Sequence, residues 1–272
     1  MLTKIGRKTA MRRACVATCA LWAFAFVSMP QTLAKPDAID DGVKNYKRYV
    51  VEHIGAALAG ARKLRAAVRA ADAKGAEAAW IESRRGWEAI EPVTAEYFGD
   101  LDKLIDAWPD ARRGYHAIEA ALFVGKIEGL DERVTGLIAD LGKVEKRVSA
   151  RNFKFTAQGL LNGVANLAYE VGEEKSKGGE SPYAGTSIID MQENVEGIQV
   201  IYKRVFDGAL KKSDPALAKL ISERIEKLES LVKVQDIKSM NQEAVHVAGE
   251  ELAVLLQSAA PKLKLKKPKV ND

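Results

Sequence analysis

From residue 38 to residue 72 the apolar positions recur every three or four residues. Val50, Ile54, Ala57, Leu58, Ala61, Leu64 and Val68 fall on one stripe of a single long helix. A segment of that length and period cannot lie in a sheet, and it needs partner helices to cover its apolar face. The same periodicity continues along the chain. Ala, Leu, Glu, Lys and Arg dominate and β-branched clusters are sparse, so the chain reads as all-α. The pattern breaks at Asp72-Ala73-Lys74-Gly75. A second helix is predicted from about 76 to 97, kinked just after Glu91 by Pro92. Residues 98–113 are rich in Asp and Gly and read as a loop. Further helices are expected over 114–124, 131–148, 156–175, 186–209, 217–234 and 239–259, with a loop over 175–185. Seven or eight helices with short connections predict antiparallel bundle packing, as two stacked four-helix bundles with any site in a cleft.

The first 34 residues have a different character. Lys4, Arg7, Lys8, Arg12 and Arg13 precede an apolar run from Cys15 to Met29, and Thr32-Leu33-Ala34 offers small residues for cleavage. This is the pattern of a secretory signal peptide, residues 1–34. Cys19 has its apolar run after it rather than before, which does not fit a lipoprotein signal. Removing the five basic residues of this segment from the 42 in the chain leaves 37, equal to the 37 acidic residues. The net charge of +5 therefore belongs to the signal and gives no argument for nucleic-acid binding. Both cysteines, Cys15 and Cys19, lie there too. The remaining chain has no thiol for disulfides, thiolate metal sites or cysteine catalysis. Residues 35–260 then form the helical domain, and 261–272 (PKLKLKKPKVND) read as a basic, disordered tail.

Within the helical domain, residues 87–119 carry the chemistry. Glu88 and Glu91 are spaced i,i+3, as are His116 and Glu119, so each pair shares one helix face. Trp87 and Ile90 beside the first pair, and Ile118 and Leu122 beside the second, place these carboxylates at the edge of apolar faces. A bare carboxylate there is costly unless it is paired or bound to a metal. Several carboxylates cannot ionise side by side without a cation to offset them. That cation is a metal ion or, in the plainer alternative, Arg84, Arg85, Arg112 and Arg113. His53 and His246 show no such pairing and read as structural. Carboxylate oxygens suit Fe(III), Fe(II), Mn(II) and Ca(II), while the one imidazole tilts the set toward transition metals and permits zinc or copper. Di-metal bundles use Glu-x-x-His twice, whereas this chain has a single His-x-x-Glu, so one ion is expected rather than a two-metal oxidase.

The segments WEAIEP, FGDLDKLIDA and GYHAIE, with YKRYVVEHIGAALAGARKL, LAYEVGEEK and DMQENVEGI, resemble the imelysin-like EfeO/EfeM family of periplasmic iron-uptake proteins. The resemblance runs from about Tyr46 to Ala259 and is to the short form, without a cupredoxin domain. It implies a helical bundle with a metal site in a cleft. The ligands it implies are Glu88, Glu91, Asp106, His116, Glu119 and Glu170, with Asp190 and Glu193 further out. At Asp106 the chain departs from the family pattern, reading IDAW in place of IDAR. The implied role is iron capture in the periplasm for an inner-membrane iron permease, alongside a periplasmic haem peroxidase, and the implied protein is not an enzyme. Two other activities occur in the family and stay open: a zinc-dependent peptidase, and metal-assisted binding of an acidic polysaccharide such as alginate. For the last, Trp87, Tyr97, Trp108 and Tyr115 with Arg112 and Arg113 are the candidate sugar contacts.

Overall fold

The structure is a computed structural model and describes residues 38–108, 110 and 112–270. The expected signal peptide, with its two cysteines, lies outside the described residues. The long first helix, α1, spans Ala38–Arg69, and its expected apolar stripe is the buried face. Asp72 caps α2 (Ala73–Glu88), its carboxylate accepting a hydrogen bond from the Gly75 backbone N–H at 3.0 Å. The break at Pro92 is a single turn of 3-10 helix, Glu91–Val93, with the proline near its start. The chain then enters α3 (Thr94–Ile105), where the sequence suggests a loop. Asp and Gly are poor helix formers, but Phe98, Leu101 and Ile105 recur at helical spacing and are buried, so packing overrides propensity there. Helix α4 (Gly114–Leu122) and α5 (Leu130–Ser149) complete the first half.

The second half opens with α6 (Ala157–Glu173), capped by Thr156. A short 3-10 turn at Lys175–Lys177 and an irregular stretch to Thr186 lead into α7 (Ser187–Ile201). Here the expected helix to 209 is interrupted by one π-type turn, Tyr202–Phe206, before α8 (Asp207–Ser213). Helix α9 (Pro215–Val232) begins with Pro215 after the capping Asp214, and α10 (Gln242–Lys262) begins after the capping Asn241. The described residues contain helices and no strands.

Helix α1 packs on α2 and α5, with α3 and α4 covering α5; α10 packs on α6 and α9, and α7 lies against α9 and α6. These two bundles meet where α2 touches α7 and where the 3-10 turn at 91–93 touches α6. Two glycines permit that meeting. A Cβ at Gly197 on α7 would lie 2.6 Å from the carbonyl oxygen of Ala89, and one at Gly163 on α6 would overlap the carbonyl oxygen of Pro92. The segment 89–92 is therefore gripped from both sides by bare backbone, which fixes Glu88 and Glu91.

The basic tail differs from expectation. Through Val270 it lies on the bundle: Leu263 is buried, and Leu265 and Val270 pack on the core. Gln158 accepts from the Lys266 backbone N–H at 2.8 Å and donates to its carbonyl at 2.9 Å. Its leucines and valine alternate with lysines, so the apolar side chains can pack while the charges stay in water.

Candidate metal centre

The six residues read from the sequence come together at the meeting of the two bundles. Glu88 ends α2, Glu91 sits in the 3-10 turn, Asp106 follows α3, and His116 and Glu119 lie on α4. Glu88 and Glu119 are fully buried and His116 is nearly so. Glu170, on α6, lines a cavity of about 320 Å³ together with Glu91, Asp102 and Asp106.

His116 is held at both ring nitrogens. Its Nε2 lies 3.3 Å from Asp106 and its Nδ1 3.2 Å from Glu119. The other oxygen of Glu119 accepts the backbone N–H groups of Tyr183 and Ala184, each at 2.9 Å. Burial opposes charge on the imidazole, but the hydrogen bonds to Asp106 and Glu119 outweigh it and raise its pKa to about 9. The ring of Trp108, itself 59% exposed, stacks on His116 at 5.0 Å and 11°. The tryptophan of IDAW therefore forms the solvent-side wall of the imidazole.

Two cations thread the carboxylates. Buried Arg84 lies 2.9 Å from Glu88, 2.5 Å from Asp106, 3.5 Å from Glu180 and 3.4 Å from Asp190. Buried Lys175 lies 2.8 Å from Glu91 and 2.9 Å from Glu180. Arg84 was one of four arginines expected as neutralising partners; Arg85 instead pairs with Glu193 at 2.7 Å, and Arg113 with Asp140. Asn194 donates to Glu88 at 2.9 Å and to Glu91 at 2.5 Å. Arg84 Nη2 and Glu88 Oε1 face each other as an ion pair, yet neither atom has an aligned hydrogen bond. One oxygen from each of Glu88, Glu91 and Glu180 lies within 4.8 Å of the others.

The acids outnumber the bases. Glu88, Glu91, Asp106, Glu119, Glu180 and Asp190 face the two permanent cations Arg84 and Lys175. Burial pushes Glu88 up, Glu91 up to about 7 and Asp190 up to about 7, despite the cations beside them. Asp106, between Arg84 and His116, is driven the other way, because those cations outweigh its burial.

Lys175, Glu180, Ser181 and Asn194 were not legible as site residues. Lys175, Glu180 and Ser181 sit in a stretch that reads as a polar loop, where their sequence signal is the density of charge and Ser in KSKGGES, and Asn194 lies on α7 among other polar residues. Asp190, expected only as an outer group, touches Arg84 directly and accepts from Ser181 at 2.5 Å. Glu193 stays outside the cluster on Arg85. The aromatic set proposed for sugar contact is dispersed: Trp87 and Tyr115 are fully buried, and Tyr97 hydrogen-bonds Thr156. Only Trp108 of the four stands exposed at the site.

The family model described as Imelysin (peptidase M75) matches residues 42–264. The chain is 30% identical over 205 residues to the iron uptake system component EfeO of Escherichia coli K12, covering 72% of this chain and 54% of that protein. The same identity and coverage hold for EfeO of Shigella flexneri. The chain thus spans about half the length of these relatives. A solved structure described as an iron-regulated protein A precursor, from Parabacteroides distasonis, superposes with a TM-score of 0.65 at 15% identity, covering 85% of this chain and 97% of that one. This last likeness concerns the fold alone. On the match over residues 42–264 and the identity to EfeO, the chain belongs to the imelysin-like EfeO/EfeM family.

Proposed function

We propose that the protein captures an iron ion in the periplasm and hands it to an uptake system, binding the ion as cargo rather than transforming a substrate. The observation that carries this reading is the buried surplus of carboxylates around His116, with Arg84 and Lys175 lying where an external cation is wanted. Relatives that bear the name of an iron uptake component add support. On this reading a separate membrane permease receives the ion.

The donors fit iron. Glu88, Glu91, Asp106, Glu119 and Glu170 offer hard oxygens and His116 one imidazole, a set that suits Fe(III) or Fe(II) and tolerates zinc or copper. Binding would require His116 to give up its proton and Arg84 to yield one of its carboxylates. Glu91, Asp106 and Glu170 face the cavity and form the entry side; Glu88 and Glu119 form the buried floor. On release Arg84 would re-pair with the freed carboxylate and His116 would regain its proton, so the same groups would favour unloading to a partner. The peptidase alternative has less support, because no HExxH motif is present in the sequence and a carboxylate-rich donor set quenches the Lewis acidity that hydrolysis needs. A polyuronate site is weakened by the burial of Trp87 and Tyr115.

The test is direct titration of Fe(III), Fe(II), Zn(II) and Cu(II) into the protein and into a His116→Ala/Glu119→Ala variant. The wild type should bind one ion in this cleft and the variant should lose it. Equal binding by both proteins would remove the assignment.

A further inference from the structure

A second donor cluster lies away from the cleft, on the crossing of α6 and α10. Glu173 is the last residue of α6, and His246 and Glu250 are one turn apart on α10. His246 Nδ1 is 3.4 Å from Glu173 and its Nε2 is 3.7 Å from Glu250. One donor atom from each of the three residues lies within 4.8 Å of the other two. The side chains are 29%, 33% and 44% exposed in that order, so solvent reaches them and they can turn.

The backbone beneath is closely fixed. A Cβ on Gly172 would lie 2.9 Å from the carbonyl oxygen of His246, and one on Gly249 would lie 2.6 Å from that of Ala168. The helices therefore touch main chain to main chain beside the cluster, which sets Glu173 against His246 with little play. In contrast to the cleft, no buried arginine or lysine occupies the centre. Among the described residues the one lysine or arginine in ion-pair range is Lys177, with its Nζ 4.0 Å from Glu173 and its side chain 72% exposed.

We infer that Glu173, His246 and Glu250 form a second metal site, for a divalent first-row ion of the Zn2+ or Cu2+ kind. Two carboxylates and one imidazole are ordinary ligands for such ions, with ligand bonds of about 2.0–2.2 Å and the remaining positions left to water. One ring nitrogen and one oxygen of each glutamate already lie within 4.8 Å of one another, and these part-exposed side chains need only small adjustments to close on an ion. The affinity order of divalent ions favours Cu2+ and Zn2+ over Fe2+ at such a site. The surface site would thus take the ions that compete with iron for the cleft, and it does not depend on the cleft's own assignment.

The experiment uses untagged protein with the cleft disabled by His116→Ala/Glu119→Ala, titrated calorimetrically with Zn2+. One equivalent should still bind. Adding His246→Ala should abolish it, and Glu250→Gln, which removes a charge from a part-exposed position, should weaken it by about tenfold or more, since even an outer partner of a metal ligand is worth that much. Circular dichroism should show unchanged helix content in each variant. The inference is overturned if the cleft-disabled protein binds no zinc, or if it binds zinc equally well with and without His246. Failure of the cleft reading looks different: wild type would then bind no more metal than the His116→Ala/Glu119→Ala variant.

Discussion

Arg84 lies on the buried face of α2 with four carboxylates around its guanidinium, and no water-facing route for its charge. Its replacement by Met should destabilise the protein by about 3–5 kcal/mol in urea unfolding, since removing one partner of a buried ion pair leaves the others uncompensated. Saturating metal should return part of that loss, because the ion supplies the missing positive charge. Protonation makes the same point at other residues. His116 is raised from 6.5 to about 9, Glu91 from 4.5 to about 7 and Asp190 from 3.8 to about 7. A group with a raised folded-state pKa contributes stability that is full below its unfolded pKa and lost as pH rises through the folded one. All three therefore predict that metal-free protein loses stability from about pH 4 to about pH 9. Asp106 has the opposite sign and matters only in strong acid. Thermal melts of metal-free protein across that range check this, and a flat profile would contradict it. Of these residues, His116 and the glutamates are visible in the sequence as pairs on a helical spacing. Arg84 is visible only as one of several arginines, because nothing local distinguishes the one that turns inward from Arg85 beside it, which pairs at the half-exposed rim.

At the level of elements, the placement of Glu88 and Glu91 depends on the backbone contacts at Gly163 and Gly197. Gly163→Ala should cost about 1–3 kcal/mol by overpacking and should weaken metal binding together with stability, because the Cβ pushes on the Pro92 carbonyl beside Glu91. Gly55→Ala, on the same scale of change but with open space around the new methyl, should be neutral or stabilise by about 0.5–1 kcal/mol through helix propensity. The two variants compared by urea denaturation separate close approach from propensity. The long amphipathic helices were readable because their stripes are regular over many turns. Helix α3 was not, since FGDLDKLI carries turn-forming residues and gains its helical shape from the burial of Phe98, Leu101 and Ile105. The interruption after Ile201 was equally hidden. Neither Gly nor Pro marks it, and a one-turn π-type bulge leaves the local composition unchanged.

For the whole molecule, the all-α class and the stacking of two bundles follow from periodicity and short connections. The cleft between them does not, because no local pattern tells which helix ends will meet. Glu180, Lys175 and Asn194 reach the site from a loop and a helix about 90 residues or more beyond Glu88, and only the tertiary arrangement of α7 against α2 brings them there. The tail shows the same limit. Its lysines suggest a solvated end, while its apolar side chains close against the bundle and its backbone pairs with Gln158.

On the proposed function, this junction of the two bundles holds a cation. Titration of Fe(III), delivered as a weak chelate, into the protein at neutral pH tests it most directly when paired with thermal melts. The account predicts one tightly bound ion, a rise in unfolding free energy of about 2.7 kcal/mol at a hundredfold excess over Kd, and loss of both in His116→Ala/Glu119→Ala. Binding and melting unchanged between wild type and that variant would contradict it.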